Sequence, residues 1–96
     1  MKKRIILKVI SVSPKERTEF ARRYDFKNRI PSMAYTIDVP EDVRPQVKCK
    51  EEHIGNEESG LHVIKIHNKS SCPAVVTFFE FEELFFKSTN IFFQNP

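Results

Sequence analysis

Ser13-Pro14-Lys15-Glu16-Arg17-Thr18-Glu19-Phe20-Ala21-Arg22-Arg23-Tyr24-Asp25 is the stretch on which the fold class turns. Its opening has the form of a capping box, with Ser13 at the N-cap, Pro14 at N1 where no amide hydrogen is needed, and Glu16 at N3 able to reach back to the Ser13 amide. That reading predicts a helix beginning at Ser13. Phe20, Ala21 and Tyr24 then make a narrow apolar stripe at i, i+1, i+4 spacing, with Lys15, Arg22 and Arg23 off the stripe. Lys27-Asn28-Arg29-Ile30-Pro31 ends the helix, because the residue before a proline is pushed out of the α region.

Outward from this segment the chain reads mainly as strands. Upstream, Lys3–Val12 is apolar on both faces, which is the pattern of a central strand. Downstream, Met33–Val39 alternates, with Tyr35, Ile37 and Val39 on one side. The two prolines of Pro40–Pro45 suit an acidic loop or edge crossing. Gln46–Ile54, with Val47 and Cys49 inward, and Leu61–His67 form a predicted hairpin around a six-residue loop, Gly55–Gly60. After Pro73 the segment Val75–Lys87 has strand-like β-branched and aromatic density. The spacing of Phe78, Phe81, Leu84 and Phe85 among Glu80, Glu82, Glu83 and Lys87 favours a helix, and Asn90–Gln94 closes as a short strand. The expectation is a single α+β domain over residues 1–96: a mostly antiparallel sheet of four or five strands with one or two helices, in β-α-β-β-β-α/β order.

Composition limits the function classes. The chain has 96 residues and a net charge of +3. Residues 1–30 hold ten basic and three acidic side chains, and residues 31–96 hold six and ten. A chain this short builds one small core and no interdomain cleft. Its longest charge-free stretch, Ser70–Phe79, is half of what a bilayer span needs. The basic start lacks the apolar run and cleavage site of a signal peptide, so a cytoplasmic or host-cell location is expected, with no membrane partner. Cys49 and Cys72 are too few for a disulfide framework and are expected as free thiols.

Catalytic chemistry finds little footing. Cys49, His53, His62, His67 and Cys72 are the thiol and imidazole ligands available, without a zinc-knuckle spacing. Cys72 near His67 or His53 could be drawn as a nucleophile and base, but Cys72 precedes Pro73 rather than a glycine turn. With Gly55 and Gly60 the only glycines, no phosphate loop or dinucleotide fingerprint can be assembled. The expectation is a non-enzymatic protein without metal or cofactor.

Two binding surfaces remain. Seven of the nine phenylalanines lie within Phe78–Phe93, more rings than one face of a peripheral element can bury. Phe81, Phe85, Phe86, Phe92 and Phe93 are therefore the candidate contacts with another protein or with a second copy of the chain. That reading suits a small accessory or regulatory protein of a virus or bacterium. The alternative is nucleic-acid binding, RNA in particular, by the basic head: Lys3, Arg4, Arg17, Arg22, Arg23, Lys27 and Arg29.

Overall fold

The computed structural model describes residues 2–83, with backbone alone at Lys2, Glu82 and Glu83. Six strands form two antiparallel three-stranded sheets: β1 (Lys2–Val12), β2 (Arg17–Asp25), β3 (Ala34–Asp38), β4 (Val47–Gly55), β5 (Ser59–Asn68) and β6 (Ala74–Glu83). The first sheet has the order β1-β6-β3 and the second β2-β5-β4. A single 3-10 turn, Arg44–Gln46, is the only helical element among the described residues. The α+β expectation is therefore corrected to an all-β, two-sheet fold.

Both expected helices are strands, for local reasons. Glu16 N–H donates to the Ser13 carbonyl at 3.1 Å, and Lys15 has a φ of 67°. Proline at the second position and positive φ at the third define a type II turn, which satisfies the same Ser-Pro-x-Glu pattern as a helix cap. The turn carries the chain from one sheet to the other. Beyond it, Thr18, Phe20, Arg22 and Tyr24 face inward at a period of two, while Arg17, Glu19, Ala21 and Arg23 face out. In β6 the inward set is Ala74, Val76, Phe78 and Glu80, paired on both sides by β1 and β3. β6 is thus the central strand, and β1 lies at an edge with a bulge between Ile6 and Lys8. The predicted closing strand Asn90–Gln94 lies outside the described residues.

The other strands fall close to their expected places. β4 and β5 form the predicted hairpin, with Gly55 opposite Gly60 and Asn56 N–H donating to the Ser59 carbonyl at 2.9 Å. Gly55 has a φ of +133°, and a Cβ there would stand 2.6 Å from the Ser59 carbonyl oxygen, so the turn requires glycine.

The sheets pack face to face through Val12, Met33, Val47, Ile64, Ile66, Ala74, Val76 and Phe78. Phe20 and Phe78 meet across the layer with ring centroids 4.8 Å apart. Each large side chain buried here contributes about 1.5–3 kcal/mol relative to exposure. Asn68 closes this end of the layer. It is fully buried, and its amide donates to the carbonyls of Val12 at 3.0 Å and Cys72 at 2.7 Å. Its oxygen accepts from the Ser70 amide and hydroxyl. One side chain thus ties the end of β1 to the β5–β6 connection. No helix among the described residues is long and apolar enough to cross a membrane.

Candidate functional site

The outer face of the β1-β6-β3 sheet carries an exposed apolar patch among Arg4, Ser11, Thr36, Asp38 and Thr77. Beside β6, the strand β1 presents Ile6 and Val9 at 52% and 57% exposure, and β6 itself presents Val75 at 37% and Phe81 at 42%. Ile6 is in register with Phe79, Val9 with Thr77 and Ser11 with Val75, so these residues share one face. Phe79, between them, is buried: the Arg4 guanidinium lies over its ring at 4.1 Å, and the Phe81 ring meets it edge-on at 5.2 Å. Of the five candidate phenylalanines, Phe81 stands on this face. Phe85, Phe86, Phe92 and Phe93 lie outside the described residues.

Ile6, Val9 and Val75 are not marked as contacts by the phenylalanine surplus, although the sequence of β1 carries the signal. A strand apolar on both faces was expected to be central. At an edge of a thin, two-layer protein the same pattern leaves one apolar face uncovered.

The structure distributes the residues of the basic head over several surfaces. Arg4 belongs to the face just described, and Lys3 is exposed on β1. Arg17 and Arg23 point outward from the second sheet. Arg22 points into the layer and forms an ion pair with Glu80 of β6. Lys27 and Arg29 sit in the turn after β2, which Asp25 organises by accepting from the Asn28 side chain at 2.7 Å. That bond, aided by the Asn28 amide and the Arg23 charge, holds the Asp25 carboxyl below the usual carboxylate range.

A polar cluster occupies the end of the layer opposite Asn68. Arg22, His62 and His53 are aligned across β2, β5 and β4. The imidazoles of His53 and His62 stack at 4.2 Å with 13° between planes, and the Tyr24 ring stands edge-on to His53 at 5.7 Å. His62 is 3% exposed. Its Nε2 is 2.9 Å from the Glu51 Oε1, while Nδ1 has no hydrogen-bond partner. The strand register brings only part of the candidate ligand set together. Cys49 is two inward rows away, opposite Ile66, His67 points out of the sheet, and Cys72 lies in the β5–β6 connection. No group of three or more His, Cys, Asp or Glu among the described residues is arranged to hold a metal. Both cysteines are free.

The outer face of the second sheet is charged from Arg17 to Glu52, with Ile54 and Leu61 exposed toward the hairpin end. Glu52 is its ionic hub, 3.2 Å from Lys65 and 3.6 Å from Lys50. The Lys65 contact, and then the weaker Lys50 one, keep its carboxyl below the ordinary glutamate range.

These features define a class: a six-stranded, two-sheet β protein with an apolar patch on one outer face, charge on the other and a polar cluster closing one end of its interior. In comparisons with known proteins, no family model matches the chain, and no curated protein or solved structure matches it significantly.

Proposed function

We propose that this chain is a non-enzymatic protein-interaction module that binds a second copy of itself through the outer face of the β1-β6-β3 sheet. The supporting observation is the concentration of Ile6, Val9, Val75 and Phe81 on one face of one sheet. Four large apolar side chains together on a small protein mark a contact surface, whereas the same residues scattered singly would not.

A second copy is the favoured partner because the apolar face continues to the rim of β1. Within the described residues this eleven-residue strand is hydrogen-bonded only to β6, and an open strand edge is a template for another strand. A two-fold axis beside β1 would cover both the free rim and the adjoining apolar surface in one isologous contact.

Sedimentation velocity tests the proposal. The chain is expected to be a dimer, and Val9→Lys, an exposed substitution outside the packed layer, is expected to sediment as a monomer with an unchanged far-UV spectrum. A wild-type chain that remains monomeric at its highest attainable concentration refutes the reading. So does a Val9→Lys variant that dimerises as tightly as the wild type.

A further inference from the structure

The outer face of the β2-β5-β4 sheet concentrates positive charge in a way that works against folding. Register places Arg17, His67 and Lys48 side by side across the three strands, and the next outward row is Glu19, Lys65 and Lys50. These six side chains line a single groove of about 530 Å3. Like charges directly opposite one another on neighbouring strands destabilise a sheet. Here Lys50 faces Lys65, and Lys48 and Arg17 flank His67 from either side.

Glu52 relieves Lys65 and Lys50 alone. Among the described residues, no carboxylate stands within ion-pair distance of Arg17, Lys48 or Lys69. His67 registers the resulting field. Burial, and then the Arg17 and Lys69 charges, hold its imidazole below the usual histidine range.

We infer that this groove binds the phosphodiester backbone of a single-stranded nucleic acid, with Arg17, Lys48 and Lys50 as phosphate contacts and Lys65 and His67 along its floor. A phosphodiester chain brings one full negative charge per nucleotide whatever its sequence, which suits a face where Arg17 and Lys48 have no carboxylate partner among the described residues and Glu19 and Glu52 offset only part of the neighbouring Lys50 and Lys65 charge. The spacing is commensurate. Lys48 and Lys50 stand two residues apart on one face, roughly 6.6–6.8 Å along the strand, close to two steps of about 3.4 Å along one stacked strand of nucleic acid. Unlike the basic head, this surface joins β2 to the β4–β5 hairpin, and Arg17 is the only residue common to both. The inference is independent of the self-association proposed above, which uses the opposite face of the molecule.

Fluorescence anisotropy with a fluorescein-labelled oligouridylate, at low and moderate salt, provides the test. Three phosphate contacts predict a log–log salt slope near about −2, from about −0.7 per contact. The double variant Arg17→Glu/Lys48→Glu is expected to weaken binding by at least about tenfold and to flatten the slope. Because it replaces repulsion by attraction to Lys50 and Lys65, it should unfold no more easily than wild type. Lys48→Gln supplies a milder variant, expected to weaken binding without charge reversal.

Lys3→Glu/Lys27→Glu, with the same charge change outside the groove, should leave affinity within about twofold. Absence of binding at low salt overturns the inference. Equal losses in the groove and control variants also overturn it, since net charge alone would then be responsible. Competition by polyglutamate as effective as that by unlabelled oligouridylate overturns it in favour of an acidic protein partner.

Discussion

At one end of the inter-sheet layer Val12, Val47, Ile64, Ile66, Val76 and Phe78 pack against one another; at the other end the same two sheets face each other through Arg22, Glu51, His53, His62 and Glu80. The change falls on one two-residue step in each of three strands. Phe20 gives way to Arg22 in β2, Ile64 to His62 in β5, and Phe78 to Glu80 in β6. Strand geometry is continuous across the boundary, so the pleat that buries Phe78 also turns Glu80 inward. Apolar area therefore holds the first half together. The second half closes on the Arg22–Glu80 ion pair and the Glu51–His62 hydrogen bond, each joining different strands.

The apolar end should be the more fragile under truncation. Phe78→Ala removes a fully buried ring that contacts Phe20 and is expected to cost about 3–5 kcal/mol in urea unfolding. Next comes the pin at the same end. Asn68→Ala removes the amide that donates to the Val12 and Cys72 carbonyls and the oxygen that accepts from the Ser70 amide, leaving Ser70 bonded to Cys72 alone, with an expected loss of about 2–4 kcal/mol. If Asn68→Ala proves nearly neutral, the layer is held by area alone and the amide is incidental.

The boundary between the two halves also explains what the sequence shows and what it hides. β3, β4 and β5 are legible because Tyr35 and Ile37, Val47 and Cys49, and Ile64 and Ile66 alternate with polar neighbours. β2 is not, since its inward row carries Arg22 between Phe20 and Tyr24 and its outward row contains Ala21, an inversion that makes Phe20, Ala21 and Tyr24 resemble a helical stripe. The deciding residue in the preceding turn is Lys15, whose positive φ is unmarked by glycine or asparagine. In β6 the sequence Phe78-Phe79-Glu80-Phe81 conceals its alternation because rings occur on both faces. Phe79 is buried on the outer face beneath Arg4, a contact that depends on strand order. Phe81 could be anticipated as a contact residue from the phenylalanine surplus. The Arg17–Lys48–His67 row could not, because it exists only once three strands are in register.

The polar end is tested by removing one charge and then both. Glu80→Gln leaves the inward Arg22 guanidinium without a carboxylate. Both side chains retain some access to water, at 27% for Arg22 and 16% for Glu80, so the expected loss is about 1–3 kcal/mol, below that of a fully buried pair. The double variant Arg22→Met/Glu80→Leu should recover most of it, because exchanging an inward ion pair for apolar side chains of similar volume is often neutral or better. A double variant as unstable as the single one would mean that the polar half depends on this pair for its specific geometry.

The smallest expected effect probes the boundary row itself. Tyr35 is in register with Phe78, facing inward beside Cys49 and Glu51. Burial first, then the Cys49 thiol and the Glu51 charge, keep its phenol protonated up to about 12, against an ordinary value of 10.0. The folded state therefore holds this proton more tightly than the unfolded chain does. The stability associated with it is complete below about pH 10 and is lost as pH rises toward about 12, because the unfolded chain ionises first. Absorbance of the tyrosinate band should show this phenol titrating late, and urea midpoints should begin to fall above about pH 10. Glu51→Gln removes one of the contributing charges and should move the titration down, while Tyr35→Phe should flatten that part of the alkaline limb. Should Tyr35 titrate at its ordinary value, the boundary row is open to water. The polar half of the layer would then begin one row nearer the core, at Phe78 itself.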